Sequence, residues 1–444
     1  MTLFDAAIQN LTKSEVNFVP LKPIPCGKVE RLAGLTVRVS GLSAEIGSVC
    51  KIHVNSGREP VSAEVIGFDS DGLMLMPLSD TGGIKPGSQV RLSEKDHLFG
   101  IGPEALGRVV DSKGNPADGL GPIMRERYLD LEHKELNPLD RGAIKQVLDT
   151  GIKAINGALT FCKGQRIGLI AGSGVGKSVL LAMLAKNTAA DVVVIGLIGE
   201  RGREVQEFIQ NTLGPEGMQK AIVVAAPVDV SPVSRVRAAK VTHAVAEYFA
   251  GLGKDVLILF DSLTRVAHAQ REVGLATGEP PTTKGYPPSV FSLLPRLIER
   301  CGVKKNQKGS ISAIYTVLAE ADDRNDPIVD IARATLDGQI MLSRELADSA
   351  HYPAIDLEGS ISRVASNVVT KGQNELAMKL RRLWTTYNQN RDLVQVGAYQ
   401  SGTNLELDEA IAKKSAIDEF LKQDQNDSYT FEKSLEKLSE ALMR

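Results

Sequence analysis

Cysteine is scarce in this chain: four residues, Cys26, Cys50, Cys162 and Cys301, lie far apart with no CxxC pair and no histidine cluster beside them. That spacing excludes a disulfide framework or a cysteine-based zinc site and fits reduced, mostly buried thiols in a cytoplasmic protein. Long apolar runs are missing too. No stretch approaches the length of a membrane-spanning helix, and the N-terminus "MTLFDAAIQNLTK" has no basic start followed by an apolar segment, so a secretory signal is not expected. Any membrane association would come through partners. Neither sign of charge dominates: 52 Lys and Arg stand against 54 Asp and Glu, a formal charge of −2. A bulk nucleic-acid binder is thereby disfavoured, although a local basic channel could hide in a balanced total. Internal repeats and low-complexity tracts are also lacking.

What is present is enough apolar material for a large core. With 43% hydrophobic residues in 444, the length suggests two or three domains and little disorder. Leu3, Phe4, Ala7, Ile8 and Leu11 recur at helical spacing, marking a short amphipathic helix before the breaking segment "VPLKPIPCG"; it either packs on its own domain or docks a partner. Residues 24–92 then read as five or six short strands ("LTVRV", "SVCKIHV", "SAEVIGF", "GLMLMPL", "SQVRL") between turn-rich pieces, the pattern of a small sandwich or barrel.

From about residue 100 the pattern alternates. "RIGLI" (166–170), "VVVIGLI" (192–198), "AIVVAA" (221–226), "VLILF" (256–260) and "ISAIYTV" (311–317) are almost wholly apolar and have helical stretches between them. Such strands imply a parallel sheet covered on both faces. After about residue 376 the chain turns polar and helical, with a loop around "GAYQSGTN". The expected fold class is therefore α/β: a phosphate-loop core on a parallel sheet, preceded by a small β-domain and followed by an α-helical one. The expected limits are 1–22 for the N-terminal helix and linker, 23–95, 96–375 and 376–444.

The chemistry concentrates where strands end. "RIGLI" runs into "AGSGVGKS", which opens the helix "VLLAMLAK", the context that a phosphate-binding loop requires. The glycines of Gly172, Ser173, Gly174, Val175 and Gly176 let successive N–H groups turn toward phosphate oxygens at a helix N-terminus. Lys177 would reach the β- and γ-phosphates and Ser178 would hold Mg²⁺. Ala171 occupies the first loop position, where a methyl group is tolerated if the backbone angles are ordinary. A loop of this kind establishes binding, not hydrolysis. The next strand ends in "GERGREV", and Glu200 at its C-terminal end is placed to orient or deprotonate water, with Arg201 holding it or the nucleotide; an exposed charge run opening a helix is the competing reading. Asp261 closes "VLILFD" and would hold the Mg²⁺ shell, the alternative being a simple helix cap.

Together, "AGSGVGKSVLL", "GLIGERGREV", "DSLTRVAHAQRE", "GEPPTTKGYPPSVFSLLPRLIER" and "HYPAIDLEGSISR" resemble the ATPases of type III protein export, which are similar to the catalytic subunit of rotary F-type ATP synthases. The likeness runs from about residue 23 to residue 400. "NRDLVQVGAY" resembles the flagellar branch more than the injectisome branch, and Ala171 matches the export family's version of the loop. The resemblance implies a β-barrel, a RecA-like ATPase core and a helical C-terminal domain. It also implies a homo-hexameric ring hydrolysing Mg-ATP at subunit interfaces. Carried over by position, Glu200 is the catalytic carboxylate, Arg201 and Asp261 complete the polar shell, Tyr352 packs on adenine and Arg363 is an arginine finger. Because Glu200 and Arg363 sit in one chain, identical subunits could form a site at every interface. The implied partners are a peripheral-stalk-like regulator at the N-terminal helix, a central coiled-coil stalk near "EPPTTKGYPPSVF", export substrates with their chaperones, and an export gate at the membrane.

Two other functions compete. One is an injectisome secretion ATPase with the same chemistry. The other is a RecA-like RNA translocase, which needs stacking aromatics in its N-terminal domain; residues 24–92 hold one aromatic, Phe68, so no nucleic-acid partner is expected.

Overall fold

The computed structural model describes residues 25–54, 59–93, 98–132, 136–172, 174–318 and 326–443. The expected N-terminal helix and Ser173 lie outside them.

Six antiparallel strands, β1 (Cys26–Ala33), β2 (Thr36–Ser40), β3 (Val49–Ile52), β4 (Val61–Asp69), β5 (Gly72–Pro77) and β6 (Gln89–Leu92), close a barrel in the order β1-β2-β5-β4-β3-β6. Closure follows from the alternation of side chains. Val61, Ala63 and Val65 of β4 are buried beside Val37 and Val39 of β2, while Ser62, Glu64 and Ile66 face outward, and a closed sheet leaves no unpaired edge. A second apolar contact joins the barrel to the next layer, where Val49, Met76 and Leu78 meet Val233 and Val273.

A short hairpin of β7 (Leu98–Ile101) and β9 (Arg127–Asp130), with β8 (Val109–Val110) between them in sequence, leads into the main sheet. Its further strands are β10 (Arg166–Ala171), β11 (Val192–Ile198), β12 (Ala221–Ala226), β13 (Val256–Asp261), β14 (Gly302–Val303), β15 (Ser310–Leu318), β16 (Gly338–Leu342) and β17 (Ile355–Ser362). The order is β17-β16-β10-β15-β13-β11-β12-β8, parallel except for β17, with β14 antiparallel on β15. The apolar runs are unbroken because both faces are covered. Ile167, Leu169, Val193, Ile195, Leu257 and Leu259 enter one core, and their neighbours Ile170, Val192, Val194, Ile258 and Phe260 enter the other.

The C-terminal helices Lys371–Gln389, Leu405–Leu421 and Phe431–Met443 do not keep a core of their own. Leu380, Leu383, Trp384, Phe420, Leu421 and Leu438 pack in the same cluster as the phosphate-loop helix Lys177–Asn187. The first of them straddles the expected limit at 376, since its capping box at Thr370 and Gln373 starts the helix earlier.

Candidate active site

The strand order explains why residues distant in sequence meet. Parallel strands β10, β15, β13 and β11 are consecutive neighbours, and their registers align Ala171 with Leu318, Phe260 with Tyr315, and Leu197 with Asp261. The C-terminal ends of all four therefore form one edge, the side on which open α/β sheets bind ligands.

At that edge β10 passes into the phosphate loop. Ala171 is the last strand residue, 2% exposed and absent from the left-handed positions, so its methyl group sits in the core without strain. Gly174 and Gly176 adopt φ of +80° and +89°, the region open to glycine at little cost. Gly176 precedes the helix Lys177–Asn187, whose N-terminus carries no side-chain cap; its first N–H groups have no intrahelical acceptor and suit an anion. Val175 buries its side chain in the core and can offer a ligand only its backbone. Gly172 lies between strand and loop, and Ser178 is exposed in the first turn.

Lys177 reaches across the edge to two carboxylates. Its Nζ lies 2.6 Å from Asp261 Oδ1 and 3.6 Å from Glu200 Oε1. Asp261 also accepts the Thr316 hydroxyl at 2.6 Å. Burial is the largest influence on Glu200, and with the Asp261 charge it raises the carboxyl pKa above its ordinary value, against the opposing pull of Lys177. A carboxylate with raised affinity for a proton, beside a fixed cation, is suited to act as a general base.

Arg265 was not singled out in the sequence, although it stands in the quoted "DSLTR". It lies in the first turn of the helix Leu263–Ala276 that follows Asp261, its backbone N–H bonded to the capping Ser262 hydroxyl at 3.2 Å. Its charge acts on Glu200, and its buried Nε has no hydrogen-bond partner among the described residues, as expected of a donor kept for a ligand. The side chain packs on Gly199, where φ is +76° and a Cβ would lie 2.8 Å from Arg265 Cβ. Gly199→Ala is therefore expected to displace Arg265 and to lower kcat by about tenfold, with a melting temperature lower by a few degrees; steady-state kinetics and a thermal melt check both.

The remaining expected site residues divide. The Tyr352 ring lies against the loop, with Cδ1 and Cε1 3.4 Å from where a Cβ on Gly176 would stand, and the residue is 45% exposed. Arg201 does not join the cluster: its side chain is 77% exposed and pairs with Glu204 at 3.4 Å. Arg363 is at the far end of the sheet. It follows β17, whose Ser362 pairs with Gly338, and its N–H donates to Asp337 O at 2.9 Å beside the start of β10. Six residues of strand, roughly 20 Å, separate that level from Gly172.

The donor set suits a magnesium nucleotide. A glycine-lined helix end and Lys177 offer positive charge for phosphates, while the Ser178 hydroxyl and Asp261 carboxylate offer hard oxygen ligands for Mg²⁺.

Comparison with known proteins shows the family to which the chain belongs. The nucleotide-binding domain of the ATP synthase alpha/beta family matches residues 151–362, its beta-barrel domain matches 29–93, and the T3SS EscN ATPase C-terminal domain matches 369–440. The chain is 48% identical over 431 residues to the flagellum-specific ATP synthase of Pseudomonas aeruginosa, covering 97% of this chain and 96% of that protein. Identity to the Salmonella typhimurium flagellum-specific ATP synthase is 49% over 421 residues, 93% and 92% of the two chains. Among solved structures, the assembled ATPase EscN with its central stalk EscO, from the enteropathogenic E. coli type III secretion system, superposes with a TM-score of 0.87 at 40% identity, over 94% of this chain and all of that one.

Proposed function

The chain is an ATPase of the family that comprises flagellum-specific ATP synthases and type III secretion ATPases, and from that membership we propose that it is the hexameric Mg-ATPase of a flagellar protein-export apparatus. The observation that carries hydrolysis, beyond binding, is the Lys177–Glu200–Asp261 cluster at the strand ends beside the phosphate loop. The flagellum-specific relatives at 48–49% identity stand above a type 3 secretion system ATPase at 44%, which supports the flagellar branch, although other flagellar relatives fall to 42%.

In this reading Lys177 binds the terminal phosphates and Glu200 takes the proton of the attacking water. Arg265 would steady the phosphoryl oxygens, and Ser178 and Asp261 would hold Mg²⁺. When bound, Mg²⁺ neutralises charge on the phosphate oxygens. Tyr352 covers the base. Arg363 of one subunit would complete the site of its neighbour, and Arg201, directed to solvent, would face the same interface. The assembled EscN and its complex with EscO support a homo-hexamer around a central stalk. The segment 279–291, exposed at 280–284 and continuing into the helix Pro288–Glu299, is the one we assign to the ring's opening. A regulator at the N-terminal helix, chaperoned export substrates and a membrane gate complete the proposed partners. From its relatedness to flagellar export ATPases we place the ATPase on the cytoplasmic side, held at the membrane through the apparatus; no described helix is long and apolar enough to cross a membrane.

The test is genetic and biochemical. Deletion should abolish or sharply reduce swimming and flagellin export, restored by the wild-type gene and not by Glu200→Gln. Intact motility with loss of another secretion system would assign the chain to the injectisome branch. ATP hydrolysis by the purified protein should not respond to RNA; strong stimulation would sink the export reading.

A further inference from the structure

Gln423 lies outside every motif of the phosphate site, yet it is 6% exposed and every hydrogen-bonding group of its side chain is engaged. It follows the helix Leu405–Leu421. Its Nε2 donates to Gly151 O at 2.9 Å and to Asp427 O at 3.0 Å, and its Oε1 accepts the Lys153 N–H at 2.9 Å. Its backbone N–H donates to Tyr352 O at 2.9 Å. One residue of the C-terminal helical region thus bonds both the segment before the phosphate-loop strand and the tyrosine over the loop.

Both ends of the phosphate-loop helix meet this arrangement. At its N-terminus Gly176 faces the Tyr352 ring. At its C-terminus Asn187 packs on Gly151, where φ is +73° and a Cβ would come within 2.3 Å of Asn187 Cβ. Asn187 Nδ2 also donates to Asp427 O at 3.2 Å, the carbonyl that Gln423 bonds. A buried amide with both donors and its acceptor satisfied has little freedom to move. The turn at 422–428 is therefore tied to the helix that carries Lys177, and Tyr352 is tied to the turn.

We propose that Gln423 is a positioning residue for nucleotide binding: it holds the Tyr352 ring over Gly176 and so makes the placement of the C-terminal helices part of the affinity for the base. The inference rests on the reading that Tyr352 contacts the nucleotide. It assigns Gln423 no contact with the reacting atoms. Loss of its side chain frees the turn and, through the backbone bond, the tyrosine, while Glu200 and Asp261 stay at their strand ends and Lys177 at the start of its helix.

Steady-state hydrolysis by the full chain with Mg-ATP tests this. Gln423→Ala is expected to raise KM for ATP by about tenfold and to lower kcat by less than about threefold, the pattern of lost ground-state binding. Inhibition by magnesium tripolyphosphate, which has the phosphates and no base, should keep its Ki. Tyr352→Ala should raise KM on its own, and adding Gln423→Ala to it should change KM little further, because coupled residues are non-additive. An unchanged KM in Gln423→Ala overturns the proposal when Tyr352→Ala raises it. So does a tripolyphosphate Ki that rises in parallel, since that marks general loosening of the site. An unchanged KM in Tyr352→Ala overturns instead the reading that Tyr352 meets the base. If Gln423→Ala does not fold, Gln423→Glu serves: it keeps size and the acceptor for Lys153 but sets a carboxylate oxygen against two carbonyls, and the same pattern of KM and Ki is required of it.

Discussion

Arg363→Ala is expected to lower kcat by about 10³-fold or more, the scale of arginine fingers in comparable phosphoryl-transfer sites, although in its own subunit Arg363 is nowhere near the phosphate loop. Its guanidinium is bonded at the opposite edge of the sheet to the carbonyls of Arg333 and Leu336, at 3.1 and 3.4 Å. These are neutral acceptors, and the residue is exposed, so the charge is available to a neighbour. An effect of this size from such a place requires the site to be shared between subunits. Mixing is the direct measurement. Arg363→Ala subunits keep Glu200, and Glu200→Gln subunits keep Arg363, so a one-to-one mixture of two nearly inactive variants should recover about a quarter of the interfaces in a closed ring. No recovery in hexamers verified as mixed would refute the shared site.

Glu200→Gln is the second large effect. It should lower kcat by about 10²–10⁴-fold while nucleotide binding is largely retained, because a general base acts in the transition state and contributes little to ground-state affinity. The wild-type pH profile carries the same information. Burial and the Asp261 charge raise the Glu200 pKa above the usual carboxylate value. The base works deprotonated, so kcat/KM falls as pH drops through that raised pKa, and the acid limb lies above the ordinary glutamate range. In Glu200→Gln that limb disappears from whatever activity remains. An acid limb at the same pH in the variant would assign the titration to another group and remove Glu200 from the role.

Much of the scaffold beneath these effects is legible in the chain itself. Unbroken apolar runs such as "VVVIGLI" can be satisfied only by a strand covered on both sides, and all seven of its residues are buried. Short alternating strands between turns point to a sandwich or barrel, but whether they close depends on the pairing of β1 with β6, which no local pattern encodes. The helical C-terminal region is equally readable, whereas its sharing of a core with the phosphate-loop helix is not, since burial against a distant partner has no signature within either helix.

The site divides along the same line. By themselves the residues determined the local chemistry: the glycines and Lys177 at a strand-to-helix turn, and the carboxylates Glu200 and Asp261 where apolar strands stop. Each is a short-range pattern, because backbone geometry and the end of a hydrophobic run are set by adjacent residues. Tertiary structure decided which of these groups meet. Placing β15 and β13 between β10 and β11 brings Thr316 to Asp261 and Arg265 toward Glu200, while setting β16 and β17 on the other side of β10 lays Tyr352 on Gly176 and carries Arg363 to the far edge; Arg201 is left in solvent. Strand order is chosen by the packing of two whole cores, a sum over many distant contacts, and for that reason it could be read only from the folded chain.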